Sequence, residues 1–327
     1  MFLPKFRHLR PQSIDEAVQL LTECGPEGRP FAGGTELLPR MKYGLIRPEA
    51  VISLRGIPVR APRLTPEGDL SLDTLTPLAD LARSPLVTER TPLLTEAALQ
   101  VGSNQIRQMG TLGGNLCLDT RCSYYNQSHT FQFVDPCFKR GGDRCYLLPK
   151  GKKCCAVFCG DTAPALISLG AFVTIIGPEG DRQLPVENLY TGDPLKPIAI
   201  SETELLTEVL VPGHSASRRS GFGRFSLRGG VEFAGLNVAV VLEMEEDKNL
   251  CLGVRLTVGA ISAAPTRMTG AEEAMRGKRL SKELIKEAAH LTAAEAHPFP
   301  HHGYTAAYLR ECLKVQTRRT LESALSM

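Results

Sequence analysis

The sequence contains no tryptophan, and its aromatic residues, 6% of the 327, are scattered along the chain. Scattered rings offer no platform on which successive nucleic-acid bases could stack. The formal net charge is only +3, and no run of like charges forms a polybasic arm. We therefore expect a protein that does not bind nucleic acid.

Long apolar stretches are missing as well. The longest runs, such as Val238–Leu242, are far shorter than the ~20 residues that cross a bilayer. Residues 1–10 contain a proline and several basic residues, but the continuous apolar segment of a secretory signal does not follow them. These absences predict a cytoplasmic protein without a membrane partner, and the length allows two domains.

Cysteine is abundant and unevenly placed. In a cytoplasmic protein, a local group of cysteines indicates metal binding or catalysis before it indicates disulfides. Cys24, Cys251 and Cys312 stand apart, whereas the other seven of the ten crowd into one segment. These seven are Cys117, Cys122, Cys137, Cys145, Cys154, Cys155 and Cys159. The surrounding residues, about 118–160, show neither helical nor strand periodicity, which predicts an inserted loop with a function.

The first 55 residues have the pattern of a β-α-β unit. Ser13-Ile14-Asp15-Glu16 is a capping box at the start of a helix that ends near Gly25. Strands are predicted at 29–32 and 50–54, with a helix at 37–43 between them.

The rest of the chain mixes helices and strands and then changes character. Strands are predicted at 69–75, 172–176 and 205–211, with helices at 77–83 and 93–101, and regular structure resumes at 163–166 after the insertion. Residues 212–220 read as a linker. Beyond it, strands at 223–228, 236–244 and 252–261 precede helices at 270–276, 281–296 and 305–325. The middle strand is apolar enough to be buried on both faces.

We therefore predict an α+β fold of two domains. The first, 1–215, has subdomains at about 1–55 and 56–215 and carries the cysteine-rich insertion at about 118–160. The second, 218–327, is a small antiparallel sheet with helices packed on one side.

Two glycine pairs, Gly33-Gly34 and Gly113-Gly114, are suited to bind a phosphate group. Each is followed by a small polar residue, Thr35 or Asn115, that could hydrogen-bond phosphate or ribose. Glycine allows several backbone N–H groups to converge on a pyrophosphate. Neither pair has the G-x-G-x-x-G pattern of a Rossmann fold, and an isolated pair is equally a tight turn.

The sequences around the pairs resemble a known family. Phe31-Ala32-Gly33-Gly34-Thr35-Glu36-Leu37-Leu38-Pro39 is similar to the first FAD-binding loop of the flavin subunits of molybdenum hydroxylases. Gly110-Thr111-Leu112-Gly113-Gly114-Asn115-Leu116 resembles the second loop, and Gly160-Asp161 matches an aspartate of the same site. The resemblance covers nearly the whole chain and implies a two-part FAD-binding domain followed by a small α+β domain.

The resemblance also implies which residues bind FAD. Asp161 would hydrogen-bond in the pocket, and Leu206 would pack near the ring system. Arg224 stands where the family often has a lysine near the isoalloxazine; it keeps the positive charge but changes its reach. The pyrophosphate and ribityl chain would be held by Phe31, Ala32, Gly33, Gly34, Thr35, Glu36, Leu37, Gly110, Thr111, Gly113, Gly114 and Asn115.

The cysteine-rich segment is an insertion of roughly 35 residues relative to most of this family. It resembles the insertion in flavin subunits of 4-hydroxybenzoyl-CoA reductases, which carries a 4Fe–4S cluster. The matching stretches are Cys117–Cys122, Tyr125–Ser128 and Gly142–Cys145. The resemblance implies Cys122, Cys137, Cys145 and Cys154 as ligands, with Cys155 an alternative to Cys154. A zinc site usually has C-x2-4-C pairs, which the four implied ligands do not form, but zinc and plain thiols remain alternatives.

The function implied is electron transfer. No motif supplies a nucleophile, a general base or a metal-activated water, and His8, His301 and His302 are interpreted as surface residues. The family implies partners, a molybdopterin-binding large subunit and a small subunit with 2Fe–2S clusters, in a dimer of heterotrimers. The likeness to the reductases implies reductive removal of the para-hydroxyl of 4-hydroxybenzoyl-CoA.

Three alternatives stay open at this point. The complex could be an oxidising molybdenum hydroxylase for a purine, an aldehyde or an N-heterocycle. The chain could instead be a non-redox scaffold that binds FAD and zinc. Basic residues of the insertion are interpreted as a solvated face, although they could dock an acidic electron donor such as a ferredoxin. They are Lys139, Arg140, Arg144, Lys150, Lys152 and Lys153.

Overall fold

The computed structural model describes residues 2–127, 135–213, 218–229, 231–245 and 249–326. Within these ranges the chain forms eleven α-helices and three sheets in an α+β arrangement, so the predicted fold class is confirmed. Ser128 of the predicted insertion and residues 214–217 of the predicted linker lie outside the described residues.

The first subdomain is the predicted β-α-β unit with one added strand. Strands β1 (Arg7–Leu9), β2 (Gly28–Phe31) and β3 (Ala50–Ser53) form a parallel sheet in the order β1-β3-β2. Helix α1 (Ile14–Cys24) packs on it, and α2 (Leu37–Lys42) follows β2. The Ser13 hydroxyl accepts a hydrogen bond from the Glu16 N–H at 3.1 Å, which confirms the predicted helix start. Strand β1 was not predicted because its three residues do not alternate between apolar and polar.

The second subdomain is built on a five-stranded antiparallel sheet in the order β4-β5-β8-β6-β7. Its strands are β4 (Arg63–Leu64), β5 (Leu70–Asp73), β6 (Phe172–Gly177), β7 (Gly180–Pro185) and β8 (Leu205–Val211). Its helices are α3 (Leu78–Arg83), α4 (Pro85–Arg90), α5 (Pro92–Leu99), α6 (Asn104–Met109), α7 (Leu112–Leu116) and α8 (Thr162–Ser168).

The insertion leaves this subdomain after α7 and returns before α8. Its described residues contain only a single 3-10 turn at Phe138–Arg140 and isolated bridges, as the missing periodicity predicts. Its last residues are an exception. Residues 155–160 are buried, and the Phe158 ring packs 4.7 Å from that of Tyr190. The polar insertion therefore ends near Cys154, earlier than predicted, because the chain has already rejoined the core.

The C-terminal domain is an antiparallel sheet in the order β12-β11-β10-β9. Its elements are β9 (Arg218–Phe225), β10 (Leu236–Glu245), β11 (Leu250–Gly259), β12 (Thr266–Arg267), α9 (Thr269–Met275), α10 (Lys282–Glu295) and α11 (Ala306–Ser326). Strand β9 begins at Arg218, so the predicted linker is too long. In the part of the chain that the structure describes, even the 21-residue α11 lacks the apolarity that a membrane crossing requires.

Strand β10 is buried on both faces, as its sequence predicts. Val238 and Val240 face the core beneath the C-terminal helices, whereas Ala239 and Val241 belong to the core of the second subdomain. Ser168 of α8 donates to the carbonyl of Ala239 at 3.1 Å. The prediction of helices on one side of this sheet is therefore incomplete, because α8 covers the other side and fixes the domains against each other.

Candidate functional site

The two glycine loops are in direct backbone contact. The first loop follows β2, and the second joins α6 to α7. A Cβ atom on Gly33 would stand 1.7 Å from the carbonyl oxygen of Met109, where only glycine allows the approach. Gly34 has a φ of +72°, a conformation that L side chains rarely adopt. The two loops thus meet backbone to backbone.

The second loop is fixed from behind. The Thr111 hydroxyl accepts a hydrogen bond from the Gly114 N–H at 3.1 Å and caps the short helix α7. Gly113 packs on Thr74, against which an added Cβ would stand at 2.8 Å. The amide oxygen of Asn115 accepts from the Thr162 N–H at 3.1 Å. Its predicted contact with phosphate or ribose is therefore left to its amide nitrogen.

The joined loops divide a groove into two lobes, which we call the inner and outer cavities. Thr35, Glu36, Thr111 and Gly114 line both. The inner cavity is further lined by Leu78, Val101, Ile106, Gly110, Asn115, Leu118, Arg121, Cys159, Asp161, Phe233 and His302. The outer cavity is further lined by Phe31, Ala32, Gly33, Gly34, Leu37, Arg40, Leu75, Gly113, Cys117, Ile198 and Leu206. FAD has two ring systems joined by a pyrophosphate, so its shape fits two apolar lobes joined at a glycine-rich waist.

Nearly all predicted FAD residues line this groove, and Arg224 is the exception. Leu206 lies in the outer cavity and Asp161 in the inner one, so the two would serve opposite ends of the ligand. Arg224 lies behind Asp161 with 5% of its side chain exposed. Of the histidines interpreted as surface residues, His301 is buried, whereas His302 is exposed and also lines the inner cavity.

Asp161 is held in place by two side chains from the C-terminal domain. Its Oδ1 accepts from Asn237 Nδ2 at 2.9 Å and from Arg224 Nε at 3.4 Å. Burial raises the pKa of Asp161, and the nearby Arg224 opposes that rise. Arg224 also donates to the carbonyl of Glu232. It therefore positions Asp161, and its positive charge lies behind the residues that line the inner cavity.

Replacing Arg224 by methionine is expected to destabilise the chain by about 3 kcal/mol at pH 8, because it leaves a buried carboxylate without its counter-charge. The pKa of Asp161 would rise further above its unfolded value. Protonation would then relieve the cost, so the loss is expected to shrink as the pH falls towards 5. Urea unfolding at pH 8 and at pH 5 measures this loss of stability. Arg224→Lys should retain most of the stability, and a loss independent of pH would contradict this role for Asp161.

Sequence reasoning missed several residues of the inner cavity. Phe233 and His302 come from the C-terminal domain, and Arg121 from the start of the insertion. The Arg121 guanidinium lies 5.0 Å from the centre of the Phe233 ring. Tertiary packing brings these residues to the groove, and no local sequence pattern indicates it.

The predicted cluster ligands share a third cavity within the insertion, which we call the cysteine cavity. Cys122, Cys137, Cys145 and Cys154 line it together with Cys155. The sulfur of Cys145 accepts a hydrogen bond from the Leu148 N–H, and that of Cys154 accepts from the Ala156 N–H, both at 3.4 Å. Such N–H···S contacts stabilise thiolates, as metal ligation requires.

The other two clustered cysteines belong to the groove. Cys117 lines the outer cavity and Cys159 the inner one. Burial raises the pKa of each thiol to about 12. Both cysteines thus lie at the FAD groove and not at the cysteine cavity.

Comparison with known proteins identifies the family of this groove. The family described as "FAD binding domain in molybdopterin dehydrogenase" matches residues 4–214. The chain belongs to that family. The family described as "CO dehydrogenase flavoprotein C-terminal domain" matches residues 224–324. FAD binding and the medium subunit type are thereby confirmed.

Known proteins match this chain over most of its length and of their own. The carbon monoxide dehydrogenase medium chain of Hydrogenophaga pseudoflava is 26% identical and covers 91% of this chain and 89% of its own. The nicotine 6-hydroxylase medium subunit of Paenarthrobacter nicotinovorans is 27% identical, covering 99% of both chains. In the solved Hydrogenophaga carbon monoxide dehydrogenase, a chain superimposes with a TM-score of 0.82 at 26% identity, over 100% of this chain and 99% of that chain.

Proposed function

We propose that this chain is the electron-transfer subunit of a molybdopterin-dependent oxidoreductase and holds FAD across the two glycine loops. The backbone contact between Gly33 and Met109 at the waist of the groove carries this proposal. Bound FAD supplies electron transfer in steps of one or two electrons. The chain supplies peptide N–H groups of the first loop for the pyrophosphate, apolar lobes for the rings, and Asp161 with Arg224 beside the inner lobe.

The proposed partners are a large subunit that binds molybdopterin and a small subunit with 2Fe–2S clusters. Several relatives are named as medium chains or subunits of a complex, which supports an assembly of this kind. We propose a dimer of heterotrimers. Purification of the native complex, with its subunit masses and molybdenum content, tests it; a chain that purifies alone without loss of turnover would contradict it.

For the organic reaction, we favour oxidation. The relatives include a carbon monoxide dehydrogenase, a nicotine 6-hydroxylase and an Escherichia coli aldehyde oxidoreductase, whose names describe oxidations. The cysteine cavity favours a second candidate, reductive dehydroxylation of 4-hydroxybenzoyl-CoA, because a cluster there would serve as a low-potential entry for electrons. A substrate screen of the purified complex separates the two. Turnover of an aldehyde or N-heterocycle supports oxidation, and turnover of 4-hydroxybenzoyl-CoA with a strong reductant supports the second candidate.

We further propose a 4Fe–4S cluster in the cysteine cavity. Within the described residues, no three His, Cys, Asp or Glu side chains converge tightly enough to hold one metal ion. Zinc needs four ligands about 2.3 Å from a single point. A four-iron cluster binds each thiolate through a different iron, so its ligands surround a cavity, as these cysteines do.

Iron and acid-labile sulfide analysis of the purified chain tests the cluster. Four irons for each FAD support it. Zinc without sulfide would contradict it and favour the non-redox scaffold, and an absence of both metals would leave plain thiols.

Three lysines of the insertion form an exposed basic surface beside Cys154, namely Lys150, Lys152 and Lys153. We propose that they dock an acidic electron carrier such as a ferredoxin. Replacing all three by glutamine is expected to slow electron exchange with such a carrier about tenfold at low salt, and much less at high salt, because steering by charge is screened.

Stopped-flow measurement of carrier oxidation at two ionic strengths checks this expectation. Lys282→Gln with Lys286→Gln, on the exposed face of α10, is the matched control and should leave the rate unchanged. Equal rates for the triple variant and the unmodified chain would show that these lysines are only a solvated face.

A further inference from the structure

A chain of five charged side chains joins the first glycine loop to the insertion. Their signs alternate along the order Arg121, Glu36, Arg40, Asp119, Lys139. Arg121 pairs with Glu36 Oε2, and Arg40 lies 3.9 Å from Glu36 Oε1. Asp119 accepts from Arg40 Nη2 and from Lys139 Nζ, each at 2.8 Å. Glu36 and Arg40 line the FAD groove, whereas the other three belong to the insertion or its start.

These charges are largely removed from water. Their side chains are between 5% and 20% exposed. Burial raises the pKa of Glu36, which shows how strongly its ionised form depends on the cations beside it. A buried charge that loses its partner is costly, so displacement of one member disturbs its neighbours. The conformations of the glycine loop and of the insertion are consequently linked.

Arg121 lies between the two proposed cofactor sites. Its side chain lines the inner cavity, and the next residue, Cys122, lines the cysteine cavity. Its backbone is paired with Val157 in both directions, with N–O distances of 2.6 and 2.7 Å. Its Nη1 donates to Asn126 at 3.2 Å within the insertion. A shift of Cys122 would therefore strain the contacts of Arg121, whose guanidinium pairs with Glu36.

A second contact runs in parallel. Tyr125 lines the cysteine cavity, and its hydroxyl oxygen accepts from Arg40 Nη2 at 3.1 Å. Arg40 itself lines the outer cavity. Both sites are therefore bridged twice, through Arg121 at the inner lobe and through Arg40 at the outer lobe.

We propose that Arg121 is a positioning residue that couples the two sites, so that a cluster held by Cys122 strengthens FAD binding. This inference rests on the proposed cluster. With the cluster bound, Cys122 is fixed and Arg121 holds Glu36 in its place on the glycine loop. Without it, the insertion loses its centre, and Arg121 no longer fixes the loop. Because coupling between sites is reciprocal, FAD strengthens retention of the cluster by the same factor.

A double-mutant cycle on the full chain tests the coupling. The FAD dissociation constant, measured by flavin fluorescence, is compared for the unmodified chain, Cys137→Ser, Arg121→Met and the double variant. Removal of the cluster through Cys137→Ser is expected to weaken FAD binding about tenfold. In the Arg121→Met background, the same removal should change the constant by about twofold or less, because the connection is already broken.

Three further measurements secure the result. Arg55→Met, an exposed arginine of the first subdomain, should bind FAD as the unmodified chain does. Arg121→Lys keeps the charge but not the fork to Glu36 and Asn126, and should show intermediate coupling. Thermal unfolding shows that each variant is folded.

The outcomes separate this proposal from the one beneath it. If the unmodified chain contains no iron or sulfide, both the proposed cluster and the proposed coupling are wrong. If the cluster is present but its removal leaves the FAD constant unchanged, the coupling alone is wrong. If the tenfold effect persists in Arg121→Met, the sites are coupled through another route and the role of Arg121 is overturned.

Discussion

Replacing Gly33 by alanine is expected to yield a folded chain that purifies without FAD. The added Cβ atom would stand 1.7 Å from the Met109 carbonyl oxygen and 3.1 Å from Gly110 Cα. Both atoms are backbone, so no side-chain rotation relieves the clash and the two loops must separate. Separation would displace the first loop, which is proposed to hold the pyrophosphate, and affinity for FAD should fall at least ~100-fold. The flavin absorbance of the purified chain and a titration with FAD measure the loss.

Gly270→Ala is the matched control. A Cβ there would meet only the carboxylate end of Glu295, at 3.2 Å, which is the flexible end of a side chain. Gly270 lies in α9, where alanine is favoured over glycine by about 1 kcal/mol. This variant should bind FAD normally. If Gly33→Ala also retains FAD at full affinity, the loops do not form the binding surface proposed for them.

The second large effect is expected at the cysteine cavity. Cys122→Ser should abolish the EPR signal of the reduced cluster, because a hydroxyl replaces one of four thiolate ligands. FAD should still bind at saturating concentration, since the glycine loops remain, although the coupling through Arg121 would weaken its affinity. Iron and sulfide contents should fall together with the signal.

The variant Cys155→Ser tests whether Cys155 is a ligand of the cluster or only lies beside one. Cys155 Sγ lies 3.7 Å from the Lys153 carbonyl and would act as a donor, whereas Cys154 Sγ accepts an N–H. A donating sulfur is a thiol and an accepting one suits a thiolate, so Cys154 is the better fourth ligand. The Cys155→Ser variant should keep its cluster. Loss of the signal in Cys155→Ser, or its survival in Cys122→Ser, would contradict the proposed ligand set.

Most elements could be predicted from periodicity and from residues at their ends. Helix α1 begins at its Ser13 cap, and β10 has the continuous apolar run of a strand buried on both faces. The short elements β1, β7, α4 and α6 were missed because they are too short or too polar to show a period. The predicted linker extends too far along the chain because Arg218 and its polar neighbours already belong to β9, the edge strand of the sheet.

For the candidate site, local motifs indicated the contributions of single segments. The glycine loops and the cysteines are dense in unusual residue types, and family resemblance gave them a meaning. Arg121, Phe233 and His302 belong to no such motif. They reach the inner cavity from distant segments, through packing of the C-terminal domain against α8 and β10.

The sequence by itself thus determined the α+β fold class, the two glycine loops and the cysteine-rich insertion, because each depends on residues close together in the chain. Only the tertiary structure decided that the loops touch, that Leu206 and Asp161 lie in opposite lobes, and that Arg224 stands behind Asp161. It alone also joined the insertion to the FAD groove through alternating buried charges. Such contacts depend on how elements distant in sequence pack, and no local pattern encodes them.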